Sequence, residues 1–91
     1  MHIVSFTPRA RLDLEALSPE VEERILAKIK ELAADPSPRG DTVKRLVGFS
    51  PPLYRLRIGD WRAVFRVAGA TLLVLMVIHR SEQDRELRRL L

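Results

Sequence analysis

Apolar and polar residues alternate with period two through Leu53–Ile58 and again through residues 61–67, with Gly59-Asp60 between the two runs. That alternation predicts a β-hairpin whose strands each bury one face. The buried set is Tyr54, Leu56 and Ile58 on the first strand, then Trp61, Ala63, Phe65 and Val67 on the second. The other face carries Arg55, Arg57, Arg62, Val64 and Arg66. A two-residue loop at Gly59-Asp60 pairs Ile58 with Trp61 and sets Arg57 directly opposite Arg62, with glycine first as a type II′ turn requires. Like charges facing across a strand pair are destabilising. A solvated sheet face is the plain reading of such arginines; their number on one face points instead to an anionic partner.

The remaining pattern places helices before this hairpin and a strand after it. Residues 2–6 form a short strand centred on Ile3 and Val4. Thr7-Pro8 then reads as an N-cap followed by proline at the first helical position, opening a short helix with Leu12, Ala16 and Leu17 inward. Ser18-Pro19 repeats the signal for a longer helix, where Val21, Ile25, Ile29 and Leu32 recur at helical spacing and Leu26 and Ala33 widen the stripe. Its lysines and glutamates read as a solvated face. Residues 35–41, with two prolines and a glycine, are a breaker-rich loop, and residues 42–47 are a modest strand.

Past the hairpin and the turn at residues 68–70, residues 71–78 are apolar almost throughout, which predicts a strand covered on both faces in the middle of the sheet. If Val67 pairs with Thr71, parity puts Leu72, Val74, Met76 and Ile78 on the arginine face, with Arg80 just beyond. Ser81 to Asp84 has the form of a capping box, opening a last helix with Leu87, Leu90 and Leu91 on its apolar face. The expected class is α+β: two N-terminal helices on a small antiparallel meander of about four strands, with a short C-terminal helix.

Composition narrows the function classes. At 91 residues and 46% hydrophobic, the chain is expected to form a single domain over 1–91. It has no cysteine, so disulfides and thiolate metal sites are excluded, which suits a cytoplasmic setting. No signal peptide pattern opens it, and its longest apolar run is too short to cross a bilayer, so no membrane partner is expected. Charge is uneven. Residues 1–42 carry six Lys/Arg against eight Asp/Glu, net −2, whereas residues 43–91 carry ten against four, net +6. The basic half contains the hairpin, which favours nucleic acid or an acidic protein as partner. The two histidines, at positions 2 and 79, have no metal-ligand spacing, and P-loop, dinucleotide and nucleophile-elbow motifs are missing, so no cofactor is expected.

The element order, with Y-R-L-R-I-G-D-W-R-A-V-F-R from Tyr54 to Arg66 and V-I-H-R from Val77 to Arg80, resembles the RelE/ParE superfamily of bacterial type II toxins. The resemblance covers nearly the whole chain and implies two activities. RelE-like members are ribosome-dependent endoribonucleases that cut mRNA in the A site without a metal, by attack of a ribose 2′-hydroxyl on the adjacent phosphate. Their basic residues fall where this chain has Arg55, Arg57, Arg62 and Arg80. ParE-like members inhibit DNA gyrase instead, and a catalytically inactive, RNA-binding relative is a further reading of the same resemblance. Both classes are held inactive by a cognate antitoxin that wraps the toxin.

Two departures from the RelE-like pattern concern the proton-transfer groups. Arginines stand where lysines could act as acid or base, and arginine stays charged. No tyrosine follows Arg80 in the C-terminal segment. His79 is the remaining candidate base, since histidine ordinarily titrates at about 6.5. Parity points it away from Arg80, and a hydrogen-bonded structural histidine is the competing reading. Glu82 and Asp84 are further candidates, already accounted for as acids at a helix start.

Overall fold

The structure is a computed structural model and describes residues 1–91. Its elements run β1 (Ile3–Phe6), α1 (Pro8–Glu15), α2 (Pro19–Ala34), β2 (Val43–Leu46), β3 (Leu53–Ile58), β4 (Trp61–Ala68), β5 (Thr71–His79), a 3-10 turn (Arg80–Glu82) and α3 (Gln83–Arg88). Both predicted N-caps form. Thr7 accepts from the Ala10 amide at 3.1 Å and Ser18 from the Val21 amide at 3.4 Å, each followed by proline in the first turn. No helix is long and apolar enough to cross a membrane.

The strands form one sheet in the order β1-β5-β4-β3-β2. Strands β2 to β5 are the antiparallel meander, but β1 lies parallel to β5, pairing Ile3 with Thr71 through Phe6 with Val74. The sheet is therefore mixed and five-stranded, not a four-stranded antiparallel one. An interior strand as apolar as β5 needs a neighbour on both edges, and β1 supplies the second.

Helices α1 and α2 cover one face. Ala10, Leu14, Ile25, Ile29 and Leu32 meet Leu56, Ile58, Ala63, Phe65, Leu72, Val74 and Val77 in the main core. The inward side of α1 differs from the sequence reading: Ala10 and Leu14 are buried, whereas Leu12 is 65% exposed and Ala16 lies at the surface. So short a helix has too few apolar positions to fix its own rotation; docking on β5 decides it. The α2 stripe holds at Ile25, Ile29, Leu32 and Ala33, which are buried, and Val21 packs partly against the core, but Leu26 falls outside it and is exposed.

A smaller apolar cluster lies on the opposite face. Leu53, Val64, Met76 and Ile78 are buried there, beneath Leu87 of α3 and beside Leu46, Phe49 and Leu75. A bulge in β5 makes this second cluster possible. Val64 pairs with Met76 but Phe65 pairs with Val74, so Leu75 has no partner in β4. A bulge turns two consecutive side chains to one side. Leu75, Met76 and Ile78 therefore join the arginine face, while Leu72 and Val74 belong to the helix face. The parity reading is thus corrected for Leu72 and Val74 and holds for Met76 and Ile78. Its turn register is corrected too, since Val67 pairs with Leu72 and Ala68 with Thr71. Thr7 holds the bulge: its hydroxyl donates to the Leu75 carbonyl at 2.6 Å and its amide to the Val74 carbonyl at 3.0 Å. Two turns along α1, Asp13 accepts from the Val77 amide at 2.9 Å, beyond the end of β1.

Candidate functional site

The central hairpin forms in the expected register, with Ile58 opposite Trp61 and Arg57 opposite Arg62. Gly59 has φ +57° and no other residue of the turn is left-handed, so only the first central position is left-handed, as in a type II′ turn. Tyr54 and Phe65 stack at 5.7 Å on the helix side, which commits Tyr54 to the core. Arg55, Arg57 and Arg62 consequently point to the other face.

Two anchor points hold the cluster. The first is Asp41, at the turn before β2. The Arg55 guanidinium donates to its backbone carbonyl at 2.6 Å and to its Oδ1 at 3.0 Å. The Arg57 guanidinium donates to Oδ2, and Lys44 lies 3.1 Å from Oδ1. These three cations hold the Asp41 carboxyl well below the usual carboxylate range. The second anchor is the Gly59-Asp60 turn. Arg62 donates to the Gly59 carbonyl at 2.7 Å and to the Trp61 carbonyl at 2.9 Å. The Arg80 amide donates to the Asp60 carbonyl at 2.8 Å, and its guanidinium lies 3.4 Å from the Asp60 carboxylate. The turn thus fixes the start of the C-terminal segment beside the hairpin.

Arg62 feels the other three arginines. The Arg62 guanidinium is shifted down by burial first, and then by repulsion from Arg55, Arg57 and Arg80. Exposure divides them: the Arg55 side chain is only 10% exposed, while Arg57 and Arg80 are 51% and 65% exposed. Arg55 is a buried support, Arg62 is half-buried, and Arg57 and Arg80 present donors to solvent. Arg66, on the same side of β4, lies apart, against Phe49, Leu53, Leu75 and Leu90.

His79 does not join this cluster. It pairs with Trp61 and meets the indole edge-on at 5.3 Å, on the helix side of the sheet. Its Nδ1 accepts from the Ser81 amide at 3.2 Å and lies 2.8 Å from the Ser81 hydroxyl. Ser81 is therefore the partner of His79 and caps no helix, and α3 begins without a side-chain cap. Glu82 is paired with Arg85 at 2.9 Å, and Asp84 borders an apolar groove between α3 and the β2–β3 loop. Sequence reasoning missed Asp41. It sits inside a breaker-rich loop, where period-two parity carries no information, and only its position just ahead of a basic strand hinted at a role.

A group of fixed cations, two of them open to solvent and a third half-buried, is suited to a phosphate oxygen or a phosphodiester. Arginine cannot supply a base, so the chemistry this face offers is charge stabilisation.

The model of the ParE toxin of type II toxin–antitoxin systems, parDE, matches residues 4–84. No curated protein sequence matches the chain. Among solved structures, the toxin–antitoxin complex RelBE2 from Mycobacterium tuberculosis matches at 27% identity and TM-score 0.74, over 87% of this chain and 98% of that one. The archaeal RelE–RelB complex from Pyrococcus horikoshii matches at 26% and 0.73, over 87% and 94%. The intact RelBE complex of Escherichia coli matches at 25% and 0.71, over 85% and 94%.

Proposed function

The chain belongs to the ParE toxin family of type II toxin–antitoxin systems, within the RelE/ParE superfamily, and from that premise we propose that this toxin is a ribosome-dependent mRNA endoribonuclease. The observation that carries the reading is the gathering of Arg55, Arg57 and Arg62 on one face of the sheet with Arg80 near Arg62, just past the end of β5. In the proposed reaction a ribose 2′-oxygen bonds to the adjacent phosphorus and the 5′-oxygen leaves, giving a 2′,3′-cyclic phosphate and a 5′-hydroxyl end. Charge builds on the phosphoryl oxygens as the fifth bond forms. Preorganised donors aimed at such charge contribute about 10²–10³ in rate each. Arg57, Arg62 and Arg80 fill that role, and Arg55 holds the cluster in place. Proton transfer falls to groups outside the four arginines; His79, one residue before Arg80, is the sequence candidate for it.

A cognate antitoxin is the proposed partner. The RelE proteins of the three solved complexes are bound to antitoxins, and a basic sheet face attracts an acidic segment at rates that electrostatics raises.

A second reading follows from the family description, which names the ParE branch. There the arginine face is a protein-binding surface for DNA gyrase and cuts nothing. Primer extension on an mRNA translated in a bacterial extract separates the two. New 5′ ends at A-site codons that require ribosomes support the nuclease. Intact mRNA beside folded toxin, with supercoiling lost in a gyrase assay, supports the other reading.

A further inference from the structure

Asp41 carries the only carboxylate paired with the β3 arginines, and it meets them as a bound phosphate would. One oxygen receives Arg55 and Lys44, and the other receives Arg57. Its own side chain is 53% exposed, at a tight turn in which Gly40 is left-handed and Arg39 bridges Val43. Arg55 is also tied to the backbone carbonyl of Asp41, so the turn stays attached when the carboxylate moves. Arg57 has no such second tie: its only side-chain partner is the carboxylate.

We infer that Asp41 is an internal anion that occupies the phosphate position of Arg57 in the free toxin, and that a phosphodiester of single-stranded RNA must displace it to engage the whole cluster. The inference rests on the arginine face being an RNA-binding face. Asp41 is then a specificity-determining residue. It lowers the affinity of the cluster for any passing RNA, and it yields to a strand held in place by other contacts. The cost of displacement is small, because exposed ion pairs are individually weak. It is felt most by short, freely diffusing RNA, which has few other contacts to offset it.

The test is fluorescence anisotropy of a labelled 12-nucleotide single-stranded RNA against the full chain, at several salt concentrations and without ribosomes. Asp41→Asn keeps the side-chain shape and removes the charge. It is expected to bind the RNA about three- to tenfold more tightly than the wild type. One more phosphate contact should also steepen the dependence of log affinity on log salt by about 0.7. In an Arg57→Gln, Lys44→Gln background the gain from Asp41→Asn should shrink to less than twofold, because both freed, exposed cations are gone. Asp41→Ser carries the same expectation should the Asn variant fail to fold by circular dichroism.

Equal or weaker binding by the Asp41 variants overturns the inference. So does a gain that survives intact without Arg57 and Lys44, which would reflect net charge alone. Loss of ribosome-dependent cleavage is a separate result: it removes the nuclease reading while leaving the anisotropy comparison to decide on Asp41.

Discussion

Arg57 and Arg62 stand directly opposite each other across β3 and β4, two fixed positive charges in one cross-strand pair. Like charges so placed cost roughly the few tenths to 1 kcal/mol that opposite charges gain. The fold offsets this with Asp41 on Arg57 and with turn carbonyls on Arg62. Arg62→Gln is therefore expected to leave stability unchanged or to raise it by up to about 0.5 kcal/mol, judged by urea midpoint. Its toxicity should nevertheless fall by about 10²-fold or more. A variant that is both less stable and fully toxic would remove the functional explanation for the pair.

Arg80 carries the second test of the face. Its guanidinium is more exposed than that of Arg57 and faces only the equally open carboxylate of Asp60, so truncation leaves no buried group unpaired. The double substitution Arg62→Ala with Arg80→Ala should abolish growth arrest while the circular dichroism spectrum and melting transition stay near those of the wild type. Growth arrest at wild-type strength would mean that the active surface lies elsewhere.

His79 differs in kind from the arginines. Its ring rests on Trp61 and its Nδ1 is occupied by Ser81, so its contacts are those of a strand-end fastening. His79→Gln is expected to reduce cleavage less than fivefold and to cost about 1 kcal/mol in stability, through the lost aromatic contact and hydrogen bond. A loss of cleavage of about 10²-fold or more would instead make His79 the base.

How much of this was legible beforehand follows from what each signal measures. Period-two alternation records which face of a strand is buried, so the hairpin, its register and the shared side of Arg55, Arg57 and Arg62 were all readable from it. The β5 parity came out mixed. The turn register and the bulge each shift it by one residue, so parity puts Leu72 and Val74 on the wrong face and Met76 and Ile78 on the right one. Nothing in an unbroken apolar run marks where Leu75 is skipped, and the hydroxyl that holds that bulge belongs to Thr7, 68 residues earlier. The parallel pairing of β1 was hidden for the same reason, since a four-residue strand does not announce its neighbour. Asp41 and Ser81 were misassigned or overlooked because short polar side chains in loops find their partners through tertiary geometry.

The depressed Asp41 carboxyl makes an acid-side prediction with a definite sign. A carboxylate whose folded value lies below its ordinary 3.8 contributes stability that is complete above about pH 5 and is lost as pH falls. The reason is that the unfolded chain takes up the proton first. The stability gap between wild type and Asp41→Asn, followed by urea titration, should therefore be constant from pH 7 to about 5 and narrow steadily below about 4. A gap that widens on acidification would contradict the ion contacts of Arg55, Arg57 and Lys44 with this group.

Asp13 provides the last prediction, away from the arginine face. Its carboxylate satisfies the Val77 amide, in a strand whose β1 neighbour has already ended, and is itself held by Arg9 at 3.0 Å. Arg9 continues to Glu86 at 2.9 Å, so one chain of contacts runs from the β5 backbone through α1 to α3. Removing the acceptor leaves a sheet amide without a partner beneath a helix, a loss of about 1–3 kcal/mol. Asp13→Ala should accordingly destabilise the protein by that amount. It should also speed hydrogen exchange at the Val77 amide, which loses its acceptor. Asp13→Asn, whose side-chain carbonyl still accepts, should recover most of the loss. If the alanine and asparagine variants prove equally unstable, the charge facing Arg9, and not the hydrogen bond to β5, is what this position contributes.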